Sequence, residues 1–158
     1  MLTILLASGL GLAAAAWADE RLPPVDDPLT KAACGACHLP FPPQMLPRRS
    51  WDAILDGLDR HFGEDASLPE PKIAAIRAYL RARAADAGSL AGAKFLRDLP
   101  ASATPLRITE TPRWIREHRK IPAETWSLAA VGGRVDCTAC HTQAAAGDYG
   151  ERSLRTPR

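Results

Sequence analysis

Every cysteine in the chain belongs to one of two five-residue runs, Cys34-Gly35-Ala36-Cys37-His38 and Cys137-Thr138-Ala139-Cys140-His141. No other feature constrains the fold as tightly. Two thiols three residues apart on one helical turn reach the two vinyl groups of a porphyrin as thioethers, and the histidine that follows lies beneath the ring as the proximal iron ligand. Three other uses of C-x-x-C fit less well. A thioredoxin-type redox pair needs a strand before the motif and a helix after it, and no such strand is visible. A zinc ribbon separates its pairs by about 15–20 residues, whereas these stand about a hundred apart. Two short-loop disulfides leave both histidines unexplained. The reading is two c-type haems, attached through Cys34, Cys37, Cys137 and Cys140, with His38 and His141 as axial ligands.

The rest of the composition says what must enclose two such rings. The chain has 158 residues, 46% hydrophobic and 24% charged, enough for one domain or two small lobes. That length excludes a large enzyme with separate cofactor and substrate domains. Val occurs three times, and Ile six times beyond residue 18, which argues against a β-sandwich or barrel. A net charge of +2 is too balanced to argue for nucleic acid. Residues 2–15 are uncharged and apolar and run into Ala16-Trp17-Ala18. Residues 1–18 therefore read as a secretory signal cleaved after Ala18, with an uncleaved anchor as the alternative. No Lys or Arg precedes the apolar run.

Two irons need outer ligands, and outside the motifs the chain has two histidines, His61 and His118. Ser50 reads as an N-cap, with Asp52 in the first turn. Trp51, Ile54, Leu55, Leu58, His61 and Phe62 then recur at helical spacing until Gly63, which puts His61 on the apolar face. Thr111 reads as the cap of a second helix with Pro112 at its first position. Trp114, Ile115 and His118 share one face of it. Met45, the one methionine beyond the initiator, is the rival ligand; it lies seven residues after His38 among Pro40, Pro42, Pro43 and Pro47. Packing against a haem edge suits it better than ligation. An open coordination position is the remaining alternative.

Elsewhere the pattern is helical. A short helix around residues 28–37 carries the first motif. A second segment over 71–86 places Ile73, Ile76, Tyr79 and Leu80 on one face and ends near Gly88. Residues 89–98 add another turn or two, and 99–110 read as a linker. A segment over 122–130 ends at Gly132-Gly133. Residues 19–100 carry 11 basic and 12 acidic side chains, and 101–158 carry 9 and 6. That asymmetry is within the range of an ordinary solvated surface.

Several ordered stretches outside the cysteines resemble the small periplasmic dihaem cytochromes c. The first runs from Cys34 through Leu46-Pro47, Arg49-Ser50-Trp51 and His61-Phe62-Gly63. The second runs through Ile108-Thr109, Thr111-Pro112-Arg113-Trp114 and His118 to Cys137, then Gly147-Asp148-Tyr149 and Glu151-Arg152. The resemblance implies a mainly α fold. Residues 19–100 would form a lobe like the class I cytochromes c, and 101–158 a smaller, irregular helical lobe, each holding one haem. It implies bis-histidine ligation, His38 with His61 and His141 with His118. It also implies the role of a soluble electron carrier between a membrane cytochrome b and a small monohaem cytochrome, acting as a monomer or in transient complexes.

The expectation is thus a periplasmic dihaem electron-transfer protein, not an enzyme. Two imidazoles per iron, with no thioether, favour a low reduction potential. Two alternatives belong to other classes. A haem enzyme or gas sensor would need one open iron and distal acid–base residues, which are not to spare if His61 and His118 both ligate. A cytochrome subunit of a larger dehydrogenase would need an exposed apolar patch.

Overall fold

The computed structural model describes residues 21–157, so the 1–18 leader lies outside the described residues. Among those residues the fold is mainly helical. Five α-helices run in chain order: α1 (Pro28–Cys34), α2 (Arg48–Asp56), α3 (Glu70–Arg83), α4 (Leu90–Leu96) and α5 (Pro112–His118). Short three-ten turns join them, and extended chain pairs only at isolated bridges.

Helix α1 starts where Asp27 caps it: its carboxylate accepts hydrogen bonds from the Thr30 amide and hydroxyl, each at 2.7 Å. The helix ends at Cys34, three residues short of the expected Cys37. Gly35 closes it by donating its amide to the Lys31 carbonyl at 2.9 Å, and a Cβ at Gly35 would sit 2.4 Å from that oxygen. Glycine inside the first motif is thus a packing requirement.

Helix α2 begins earlier than the sequence pattern implies. Pro47 stands at its N-cap, so Ser50 is a fully buried interior residue whose hydroxyl has no partner. Asp52 accordingly lies past the first turn. Its carboxylate joins α2 to α3, pairing with Arg77 at 3.2 Å and with Arg81, while Asp56 takes Arg77 at 2.6 Å. The helix also stops earlier, at Gly57, because the chain tightens into a three-ten turn over Leu58–Arg60. His61 therefore sits in a turn, not on a helix face.

The core lies between α2 and α3. Leu46, Trp51, Leu55, Ile76, Leu80 and Ala84 are buried together, with Ile73 and Tyr79 packed at the edge. Each large aliphatic there contributes about 1.5–3 kcal/mol by leaving water. The Trp51 indole donates to the Pro43 carbonyl at 2.8 Å, which ties the proline-rich segment down onto α2. Helix α3 stops at Arg83, three residues short of the expected Asp86, and Gly88, in left-handed backbone at φ 95°, closes the three-ten turn Ala85–Ala87 that follows; Ser89 then caps α4.

Beyond residue 100 regular structure thins. Thr111 caps α5 by accepting from the Trp114 amide at 3.3 Å, with Pro112 at the first position as expected. Ile115 departs from expectation: it turns to solvent and does not share the face of Trp114 and His118. The segment expected over 122–130 reduces to one three-ten stretch, Ala123–Ser127. Buried apolar residues in this region are few and small: Val131, Ala139 and Ala144. The start of the described chain closes over it. Leu22 donates its amide to Gly147 at 2.9 Å, and Arg21 pairs with Asp148 at 3.0 Å. Gly147 has φ 78°, and a Cβ there would lie 1.9 Å from the Leu22 carbonyl oxygen.

Candidate functional site: two paired histidines

Each C-x-x-C-H run presents its histidine to one of the two distant histidines. The ring centres of His38 and His61 are 6.2 Å apart, and those of His118 and His141 are 6.1 Å apart. Two metal–imidazole bonds of about 2 Å each, plus the distance from each nitrogen to its ring centre, span about 6 Å. Both separations match that span.

In the first pair, the turn after α1 places His38, whose Nδ1 donates to the Leu39 carbonyl at 2.7 Å. That bond sets the tautomer and leaves Nε2 as the free donor atom. Phe41 stacks on the same ring at 4.9 Å. His61 is placed by a tight turn in which its amide donates to the Glu64 carbonyl at 2.8 Å and the Glu64 amide donates back at 3.1 Å. The His61 and His38 ring planes lie within 19° of each other. Burial holds the pKa of His61 below its ordinary value, helped by His38 and Arg107, so the ring stays neutral as a metal ligand must be.

In the second pair the outer histidine is the firmly oriented one. His118 closes α5, donates Nδ1 to the Trp114 carbonyl at 2.8 Å and stacks on the Trp114 indole at 4.4 Å. Trp126 flanks it at 6.1 Å, and the Arg134 guanidinium lies 5.8 and 5.7 Å from the centres of the two indoles. His141 follows a three-ten turn, Cys137–Ala139, capped by Asp136 through the Thr138 amide at 3.1 Å. The C-terminal chain holds its neighbours, with Arg155 donating to the Cys140 carbonyl at 2.8 Å. Burial, and then His118, hold the His141 pKa down. The Tyr149 backbone pulls it upward, yet no hydrogen bond closes at the buried His141 Nδ1. The two ring planes cross at 69°.

The second pair lines a mostly apolar cavity of about 280 Å³, together with Cys137, Cys140, Trp114 and Tyr149. Met45 also lines it and is 5% exposed. The sequence reading preferred packing against a haem edge to ligation for Met45, and a cavity wall is a packing position; what differs is that the wall is that of the second pair. The proline-rich segment carries it across to the wall of the other site. None of the four cysteines is bonded to another, which leaves the disulfide reading without support. Burial raises the Cys34 thiol and pushes Cys137 up to about 11, with Asp136 and Cys140 adding to the latter. Four cysteines unpaired with one another in two turns, two imidazole pairs with ring centres about 6 Å apart and an apolar cavity fit two covalently attached haems.

Phe41, Arg107, Trp126 and Arg134 are also part of these surroundings, and the sequence pattern does not single them out. For Arg134 one signal existed: Gly132 and Gly133, at φ 67° and 109°, turn the chain just before it.

A helical chain with two haem-attachment turns, each facing a second histidine, is a c-type cytochrome of the two-haem kind. The dihaem cytochrome c family matches residues 30–149, and the chain belongs to that family. Its cofactors are two c-type haems, and its chemistry is haem-based electron transfer. Among solved structures it is similar to a diheme cytochrome c from Rhodobacter sphaeroides, with 43% identity over 80% of this chain and 98% of that one, at a TM-score of 0.73. A second structure, of DHC purified from the same organism, is 40% identical over 79% of this chain and 98% of that one, at 0.65. The diheme cytochrome type c from Shewanella baltica OS155 is 32% identical over 82% and 92%, at 0.67. Comparison with curated proteins matched none.

Proposed function

We propose that this protein is a periplasmic electron carrier whose irons are each held by two imidazoles, His38 with His61 and His141 with His118. The observation that carries the reading is the pair of ring separations, 6.2 and 6.1 Å, at two sites built from unrelated local structure. Cys34 and Cys37 would hold one porphyrin, and Cys137 and Cys140 the other. A c-type haem supplies one-electron iron chemistry when bound. The chain's own contribution is to hold the ligands. The Nδ1 hydrogen bonds of His38 and His118 orient their rings, and apolar surroundings keep His61 and His141 neutral. With two imidazoles held at each site, neither would keep a place for substrate, which supports a carrier over an enzyme or gas sensor.

Residues 19–100 would serve the first haem and 101–158 the second. Export through the 1–18 leader would put the carrier in the periplasm, and no described helix is long and apolar enough to cross a membrane. Its partners would be a membrane cytochrome b as donor and a small monohaem cytochrome as acceptor, met in transient complexes.

The test is ligand removal in protein matured with both haems. His61→Ala and His118→Ala should each turn one haem high-spin, open it to rapid carbon monoxide binding and raise its potential, while the other stays low-spin. Wild-type protein should bind carbon monoxide poorly and show no absorption band of sulfur ligation. Fast binding by the wild type, with an unchanged His118→Ala spectrum, would return the open-site reading.

A further inference from the structure

Among the described residues, two that are not glycine have positive φ: Asp98 and Phe62, the latter at 55°. A bulky aromatic in left-handed backbone is an outlier, and such outliers persist where the surroundings over-determine them. Phe62 lies inside the turn that carries His61, followed by Gly63 at φ 106°. Two consecutive left-handed residues make the type I′ arrangement, which prefers Asn or Gly where Phe62 stands. Backbone preference alone would replace the phenyl ring, so the ring answers to another demand.

Its contacts identify that demand. The ring centre of Phe62 is 4.8 Å from that of His61. The Arg107 guanidinium lies over the Phe62 ring, 3.9 Å from its centre, well inside cation–π range. Arg107 comes from far along the chain and is braced by Glu110 at 3.5 Å. Yet Phe62 is 45% exposed, so burial of the ring does not explain its presence.

We propose that Phe62 and Arg107 form a clamp that positions His61 against the first site and keeps small exogenous ligands from taking its place. The proposal rests on His61 as the outer ligand of the first haem. Both are positioning residues, acting through the His61 ring. The turn supplies the height of the imidazole, and the clamp resists its swing away from His38.

The turn makes the experiment clean, because glycine suits the Phe62 backbone better than phenylalanine does. Phe62→Gly, Phe62→Tyr, Arg107→Gln and Arg107→Lys would be matured with both haems. Carbon monoxide binding to the reduced protein and the ferric spectrum would be recorded for each haem. Loss of one cation–π contact at a half-exposed site corresponds to about a two- to fivefold change in the ligand-off equilibrium. Phe62→Gly and Arg107→Gln should therefore speed carbon monoxide binding at the first haem about two- to fivefold, with the second unchanged. Phe62→Tyr and Arg107→Lys should restore most of the wild-type behaviour.

Wild-type carbon monoxide binding in both Phe62→Gly and Arg107→Gln would overturn the clamp, and so would equal changes at both haems. His61→Ala separates the two ways of failing. If it leaves the ferric spectrum and carbon monoxide binding unchanged, the ligation reading fails. If it opens the first haem while Phe62→Gly does not, the clamp alone fails.

Discussion

The two histidine pairs have nearly equal ring separations, yet opposite members carry the orienting hydrogen bond. In the first pair it is the motif histidine, His38, that donates Nδ1 to a backbone carbonyl; in the second it is the distant one, His118. The first site thus sets a firmly oriented inner ring against an outer ring on a strained turn. The second sets an outer ring fixed on α5 and stacked on an indole against an inner ring whose Nδ1 is buried without a partner. One spacing is reached by two constructions. What is common is the ring separation, so that distance, and not any shared local structure, unites the sites.

The regions around the pairs differ as much. The first site adjoins a core of its own, in which Trp51, Leu55, Ile76 and Leu80 pack against one another. The second region buries only Val131, Ala139 and Ala144 among its apolar residues and surrounds a cavity instead. A small unit with so little apolar burial needs a bound group to complete its interior. Removing each haem in turn should therefore have unequal consequences, the largest effect expected here. A Cys137→Ala, Cys140→Ala double variant should lose one haem and with it hydrogen-exchange protection in α5 and across the second region. A Cys34→Ala, Cys37→Ala variant should lose the other haem while α3 keeps most of its protection. Equal collapse in both would show that the α2–α3 core also depends on its haem.

The ring planes offer a finer contrast, 19° in the first pair and 69° in the second. Parallel imidazoles direct π donation into the same iron d orbital and split the pair of orbitals that would otherwise match in energy. Crossed imidazoles share the donation and leave the pair nearly degenerate. Oxidised protein should accordingly give two distinct low-spin EPR signals: a rhombic one from the first haem and one of larger g anisotropy from the second. His61→Ala should remove the first and leave the second. A single signal integrating to two irons would mean that the haems adopt equal plane angles.

Much of this site is legible in sequence because covalent attachment imposes its own spacing. Four cysteines and two histidines fall into fixed registers that no packing accident alters, and with two further histidines the candidate set was short. Thr111 and Pro112 mark the start of α5 for the same local reason. What escaped depends on tertiary closure. The apolar periodicity from Trp51 to Phe62 runs unbroken through Gly57, so nothing local reveals that the chain tightens there and delivers His61 from a turn. Met45 is near His38 in sequence, but the Trp51–Pro43 hydrogen bond holds its segment against α2 and turns it toward the other cavity. Arg107 and Arg134 reach their aromatic partners from segments that read as linker and turn. Proximity in the chain was a poor guide to which site a residue serves.

The smallest expected effect tests whether the two regions respond independently, and it begins at the cap of α1. The Asp27 carboxyl is held below its ordinary value of 3.8, first by the Thr30 hydroxyl, then by the Thr30 amide and, more weakly, by Arg83. A carboxyl with a lowered folded-state pKa contributes stability that is fully present above its unfolded value and is lost as pH falls through the folded one. Asp27→Asn keeps an acceptor for Thr30 but removes the charge. At neutral pH the variant should therefore melt slightly below wild type in the first region, and the gap should close as pH falls below the ordinary value of 3.8. Helix α1 ends at Cys34, so the change should register in the melting of the first haem's absorption. The second haem, held by α5 and the C-terminal chain, should melt identically in the two proteins at every pH. A pH-independent gap would assign the role of Asp27 to hydrogen bonding alone. A matching shift at the second haem would show that α1 is coupled across the molecule, through the Arg21–Asp148 and Leu22–Gly147 contacts that join the start of the described chain to the second region.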